Sequence, residues 1–370
     1  MSDLLVTVHT PALGTGRGLR VYGLTRALAA LGRVDVLYTV FGADEPAPEY
    51  IRENIHLHPV RASRGVRRAI AYARARRRGV PPDFARGISP ELVDAVTRSA
   101  SKDTRVIADG PTAAAALLDV ASRRAVIYNS HNIESDLRAS LPGDAADHGS
   151  HAAVEKFERL LLERFYETWV VSSADEARAR ELVPDARLRY VPNVVDVAAM
   201  PIAAPCRSAR LLFAADFSYA PNRDALAFLL DGVMPAVWSR VPAARLVLTG
   251  KSLDLAGGID DRVDALGFVD DLGAVYAGVD CVVVPLRRGG GSPLKFVEAL
   301  AYGLPVVATK LAAKGLELVP GRDFLEADDA DAFADAVGKV LTHDCPDLRQ
   351  HAREVAEARY SVEALTSLLA

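Results

Sequence analysis

Cysteine is scarce in this chain, and the three present, Cys206, Cys281 and Cys345, stand far apart with no C-x-x-C spacing. That leaves no framework for disulfides or a cysteine-bound zinc, and it fits thiols kept reduced in a cytosol. Long apolar runs are missing too. The run Leu4–Val8 is far too short for a signal peptide or a membrane span, and no basic segment precedes it. The expectation is a cytoplasmic protein, at most peripheral on the inner face of a membrane. No repeat of 20–50 residues and no low-complexity tract occurs. A surplus of positive charge is also lacking. Lys and Arg number 44 against 48 Asp and Glu, a net −4, which disfavours a nucleic-acid binder.

What is there is the make-up of a soluble globular protein. Half of the 370 residues are apolar and a quarter are charged, enough for two domains with sizeable cores. The charge is uneven. Residues 1–190 hold 27 Lys and Arg against 24 Asp and Glu, whereas residues 191–370 hold 17 against 24.

Short apolar runs alternate with helical patterns along most of the length. Strands are expected at Leu4–Val8, Val34–Val40, Val106–Ala108, Val126–Tyr128 and Thr168–Val171, with a helix from Leu19 to Ala30. In the second half they are expected at Leu211–Ala214, Leu246–Thr249, Val282–Val284 and Val306–Ala308. Continuous rather than alternating apolar runs imply parallel strands covered on both faces, and intervening helices imply doubly wound α/β sheets. The pattern occurs twice, with a seam near Pro184–Pro205. Two Rossmann-like domains follow, 1–190 and 191–354, with a last helix from about Arg349 to Leu369 whose end is able to pack back on the first.

The glycine loop after the first strand invites a dinucleotide reading. Yet G-x-G-x-x-G fails, because Gly14-Thr15-Gly16 is followed by Leu19, and Asp35 opens the second strand instead of ending it. A turn, or a loop that brings backbone close to a phosphate or sugar, fits better.

A second glycine segment carries more chemistry. After the strand Val282–Val284 come Gly289-Gly290-Gly291-Ser292-Pro293-Leu294-Lys295, then Glu298, Gly303 and Pro305. Ser292 is placed to cap a helix with Pro293 at its first position. The glycine N–H groups and the helix dipole make an anion site, which also explains a lysine in an otherwise unfavourable first turn. Glu298 lies on the same face one turn deeper, where a carboxylate accepts ribose hydroxyls. Solvated side chains, or a Lys295–Glu298 pair, are the plain alternatives.

Glu298-Ala299-Leu300-Ala301-Tyr302-Gly303-Leu304-Pro305-Val306-Val307-Ala308 resembles the signature of GT-B-fold glycosyltransferases, in particular glycosyltransferase family 4, the glycosyl transferases group 1. The resemblance extends to Ser130-His131-Asn132-Ile133-Glu134, Val171-Ser172-Ser173-Ala174-Asp175, Val191-Pro192-Asn193-Val194-Val195-Asp196, Phe213–Asn222 and Gly267-Phe268-Val269-Asp270-Asp271. It implies two domains facing across a cleft that closes over the donor, and a retaining, metal-independent hexosyl transfer from a nucleotide-sugar to an acceptor hydroxyl. It implies no cofactor beyond the nucleotide-sugar co-substrate. Glu298 is then expected on the ribose, and Gly289, Gly290, Gly291, Ser292, Pro293 and Leu294 on the diphosphate and sugar. Phe268 and Val269 would flank the base. His131 would stand near the transferred sugar, unless it is an ordinary core histidine. Gly16 and Gly18, with Arg17 and Arg20 as cationic support, would let the first loop close over the diphosphate.

Two departures stand out. The glutamate usual eight residues before Glu298 is Gly290, and the usual Arg/Lys pair after the first strand of the second domain is replaced by Tyr219-Ala220-Pro221-Asn222. Lys295, with Lys251, is expected to supply the missing phosphate charge. A sugar-nucleotide epimerase and a non-catalytic nucleotide-binding partner protein are the alternatives to transfer. The acceptor, whether a saccharide, a lipid-linked saccharide or a small molecule, is not named by any motif.

Nine arginines crowd Arg61–Arg86. A solvated helix face is the plain reading, and an anionic membrane surface the sharper one. Nucleic acid is disfavoured because no aromatics interleave them. The Ala- and Arg-rich usage points to a high-GC bacterial source.

Overall fold

The computed structural model describes residues 2–11, 16–42, 54–140, 150–254, 260–289, 291–343 and 345–370; Gly290 lies outside them. The chain divides into two compact units, Met1–Asn193 with Leu365–Ala370, and Val194–Ala364.

The first unit is built on β1 (Ser2–Thr7), β2 (Val34–Val40), β3 (Ile55–Arg61), β4 (Thr104–Asp109), β5 (Val126–Asn129), β6 (Glu167–Val170) and β7 (Leu188–Tyr190). All pair in parallel, in the order β3-β2-β1-β4-β5-β6-β7. Leu4, Val6, Val106, Ala108, Val126 and Tyr128 bury one face against Ala113–Leu117, Phe157 and Leu161 of the covering helices. The second unit repeats the scheme with β8 (Arg210–Ala214), β9 (Arg245–Thr249), β10 (Val263–Gly267), β11 (Cys281–Val284), β12 (Val306–Ala308) and β13 (Leu325–Glu326), in the order β10-β9-β8-β11-β12-β13. There Leu211, Phe213, Leu246, Leu248, Val283 and Val307 meet Leu229, Val233, Met234, Val237, Phe333 and Val337.

The α/β class with two doubly wound parallel sheets is therefore correct. Each sheet reverses winding once, between β1 and β4 and between β8 and β11. At such a reversal the chain leaves neighbouring strands in opposite directions, so a crevice opens at their carboxyl ends. That is where each unit carries its polar loops.

Three local expectations change. The first helix runs Gly16–Ala29, so Gly16 and Gly18 form its first turn and not a loop. Asp35 is tied to Arg33 at 2.8 Å and His58 at 2.7 Å, which ends any dinucleotide role for it. The last helix is two, Pro346–Arg359 and Val362–Leu369. It breaks because Ser361 turns its hydroxyl to accept from Ala364 N (3.0 Å) and caps a new start.

Candidate functional site

In the second unit, the loops after β8, β9, β10 and β11 gather the expected residues. Gly289 and Gly291 have φ of +114° and +74°, which L side chains rarely adopt. A Cβ on Gly315 would meet Gly291 O at 2.5 Å, so the backbone behind the loop is packed with no room for a side chain. The helix that follows is Leu294–Ala301, with Pro293 in extended conformation at its N-cap and no side-chain cap. Ser292 is thus one residue too early to be the cap. Pro293 offers no side-chain acceptor, and its carbonyl accepts from Phe296 N at 2.9 Å.

Every residue of this helix except Lys295 is buried, Glu298 included at 8% exposure. Burial raises the Glu298 carboxyl from 4.5 to about 7, against the opposing pull of Tyr276 and Lys295. Tyr276 donates to Glu298 Oε2 at a long 3.4 Å, its ring stacked on Tyr302 at 4.6 Å. Lys295 is lowered by burial from 10.5 to about 7, with Glu298 and Asp216 opposing. Its Nζ donates to Asn222 Oδ1 (2.9 Å) and stands 4.6 Å from the Phe213 ring centroid. Asn222 in turn donates to Asp216 O at 2.8 Å. The residue that replaces the usual cationic pair therefore holds the lysine expected to compensate for it. Arg287 and Arg288, just before the glycines, turn to Asp224 at 3.0 and 3.6 Å.

Lys251 and Phe268 lie together on the neighbouring strand ends, with Nζ 5.3 Å from the ring centroid. Phe268 is 55% exposed, and Val269 beside it is partly buried.

In the first unit, His131 follows β5 and bonds Asp109 at the end of β4, Nε2 to Oδ1, at 2.8 Å. Asn129 Nδ2 donates to the same oxygen at 2.8 Å. Asp109 is held below the usual carboxylate range by His131, Arg20 and Asn129, which outweigh its burial. Gly110, at φ +77°, passes close under the imidazole, so that a Cβ would stand 3.1 Å from His131 Cε1. His131 is thus an oriented side chain, held by Asp109. Sequence reasoning missed Asp109; the signal available was a carboxylate closing a buried strand just before Gly110-Pro111.

Arg17 Nη1 lies 3.0 Å from His9 Nε2, and burial with the Arg17 charge lowers His9 to about 4. Arg20 does not offer its charge to a ligand. It is 5% exposed and donates to Asn129 Oδ1 (2.5 Å), Asn193 Oδ1 (2.8 Å), Ser130 O and Val191 O.

Two parallel α/β units of this winding define the GT-B class of glycosyltransferase fold. The sucrose-phosphate synthase of Thermosynechococcus elongatus superposes with a TM-score of 0.78 at 19% identity, covering 100% of this chain and 97% of that one. Anabaena Alr3699/HepE in complex with UDP-glucose gives 0.69 at 14%, covering 99% and 97%. The E. coli trehalose-6-phosphate structure bound with UDP-2-fluoro glucose gives 0.68 at 12%, covering 100% and 98%. No curated protein sequence matches the chain. Residues 208–343 match the family model of glycosyl transferases group 1. That match lies within the second unit, and the whole chain shares the fold of these solved structures.

Proposed function

We propose that the chain moves a sugar from a nucleotide-sugar to an acceptor hydroxyl, with retention of configuration and without a metal or other cofactor. The second unit binds the donor and the first presents the acceptor. One observation carries this: the buried Glu298 and the part-buried Lys295, each with one side-chain hydrogen bond among the described residues, sit at the winding reversal beside the Gly289–Gly291 turn. Glu298 suits ribose hydroxyls. Lys295 and the uncapped helix N–H groups suit the diphosphate. Similar structures solved with UDP and UDP-glucose support the donor class.

In the reaction the bond from the anomeric carbon to the diphosphate oxygen breaks, and a bond from that carbon to the acceptor oxygen forms. The acceptor proton passes to the departing phosphate. Negative charge grows on the diphosphate, so Lys295 and the helix N-terminus stabilise the transition state more than the ground state. In the first unit, His131, held by Asp109, is the residue we assign to the sugar.

A screen of UDP, GDP and ADP sugars with product analysis tests this. Consumption of donor only with an acceptor supports transfer. Epimer formed from donor alone indicates an epimerase, and binding without turnover a non-catalytic partner; either refutes the proposal.

The acceptor side has one favoured setting, an anionic membrane surface. The helix Val66–Arg77 exposes Val66 (74%) and Ile70 (45%) beside Arg67, Arg74 and Arg77, the mixture that settles into an acidic lipid interface. No helix among the described residues is long and apolar enough to cross a membrane. Vesicles of anionic lipid should retain the protein and neutral ones should not. Equal binding to both, or unchanged binding after Arg74, Arg76, Arg77 and Arg78 are replaced by Gln, refutes this setting.

A further inference from the structure

We infer that Lys251 selects the nucleobase, favouring bases with a carbonyl oxygen at pyrimidine C4 or purine C6, uracil and guanine, over those with an amino group there, cytosine and adenine; this rests on the nucleotide-sugar reading of the second unit. The sequence assigns Lys251 to phosphate, but the structure stands it over Phe268, 5.3 Å from the ring centroid. Phe268 is a large aromatic left 55% exposed at a strand end, the flat apolar surface on which a base stacks.

The backbone around the pair is held from three sides. Gly250 N donates to Gly267 O (2.8 Å), Thr249 Oγ1 to the same oxygen (2.7 Å), and Phe217 N to Lys251 O (2.9 Å). Gly250 has φ +138°, and a Cβ there would lie 1.7 Å from Ala215 O, so only glycine lets the β9 end pack this closely on the loop after β8. The main chain of Lys251 is therefore fixed while its side chain stays exposed and free to swing from the ring face to the edge of a stacked base. An ammonium is a donor only. It meets a lone pair on uracil O4 or guanine O6, and N–H hydrogens on cytosine N4 or adenine N6.

Calorimetry of the full chain with UDP, CDP, GDP and ADP tests this. The wild type should bind UDP over CDP, and GDP over ADP, by about tenfold, the ratio set by one charged hydrogen bond. Lys251→Met should close both gaps by weakening UDP and GDP alone, with an unchanged melting temperature. Equal weakening of all four marks a phosphate contact and overturns the proposal, as do gaps that persist in the variant. Glu298→Gln separates the underlying reading. It should weaken all four alike, and unchanged binding there removes the nucleotide-sugar reading itself.

Discussion

Glu298→Gln replaces a buried carboxyl by an amide of the same shape, and it should stabilise the free protein while weakening the nucleotide complex. In the free protein this carboxyl has one long hydrogen bond, from Tyr276, among the described residues. Burial raises it from 4.5 to about 7, so the folded state binds its proton more tightly than the unfolded one. The sign follows from linkage. Below 4.5 both states are protonated and the buried charge costs nothing; stability falls as pH rises from 4.5 to about 7, and above that the cost is complete. The displacement, with the opposing field of Lys295 already in it, converts to at most ~3 kcal/mol. The variant should therefore melt about 4–10 °C higher at pH 8 and within about a degree of wild type at pH 4.5. Differential scanning calorimetry at the two values reads this directly. Binding should move the other way, with UDP affinity falling by about 1–3 kcal/mol as the ribose loses a charged acceptor. A variant that is less stable at pH 8, or equally shifted at both values, would refute the reasoning, because the carboxylate would then be a satisfied structural group.

Three further outcomes follow from the geometry. Burial holds Lys295 near 7, and a bound diphosphate favours its charged form; UDP affinity should be full below pH 7 and fall by up to about tenfold per unit above it, a slope that calorimetry should find flattened in Lys295→Met. Gly110→Ala places a methyl 3.1 Å from His131 Cε1; steady-state kinetics should show kcat down about tenfold or more with UDP affinity kept, and unchanged kcat would separate His131 from the sugar. Gly250→Ala sets a Cβ 1.7 Å from Ala215 O. The second unit should lose roughly 3 kcal/mol or more, and an unchanged melting curve would contradict that packing.

What the sequence reveals depends on burial. The central strands β1, β2, β4, β5 and β6 of the first sheet, and β8, β9, β11 and β12 of the second, read directly as continuous apolar runs. The four strands it misses, β3, β7, β10 and β13, are the four sheet edges. Ile55–Arg61 buries only Ile55 and includes Pro59, while Val263–Gly267 has no buried residue at all. An edge strand has one neighbour and a wet flank, so nothing selects a continuous apolar run there. The candidate site of the second unit was legible because its parts are local: glycines, Lys295 and Glu298 lie within ten residues of one another. The first unit's network was not. Asp109 meets His131 across 22 positions and Arg20 meets Asn193 across 173, and no spacing rule connects residues that only the sheet brings together. Arg20, expected as cationic support for the first loop, is a buried tie.

The contrast between buried charges locates the ligand better than their titration does. Burial raises Glu158 in the first unit to about 7, as it does Glu298. But Glu158 accepts from Glu134 N (2.7 Å), Ser135 N (3.2 Å) and Ser135 Oγ (2.6 Å), which ties it to the start of the helix Glu134–Ser140. Arg20 spends both Nη atoms on four acceptors in the same way. Such groups are structural, because the carboxylate oxygens of Glu158 and the Nη atoms of Arg20 are used by the fold. Glu298 and Lys295 each hold one side-chain bond among the described residues, and they sit in the crevice where the sheet reverses. Under the proposed function a diol and a diphosphate take up the capacity left over at that place, so substitutions there should raise stability and lower binding together, whereas removing Glu158 or Arg20 should lower stability alone.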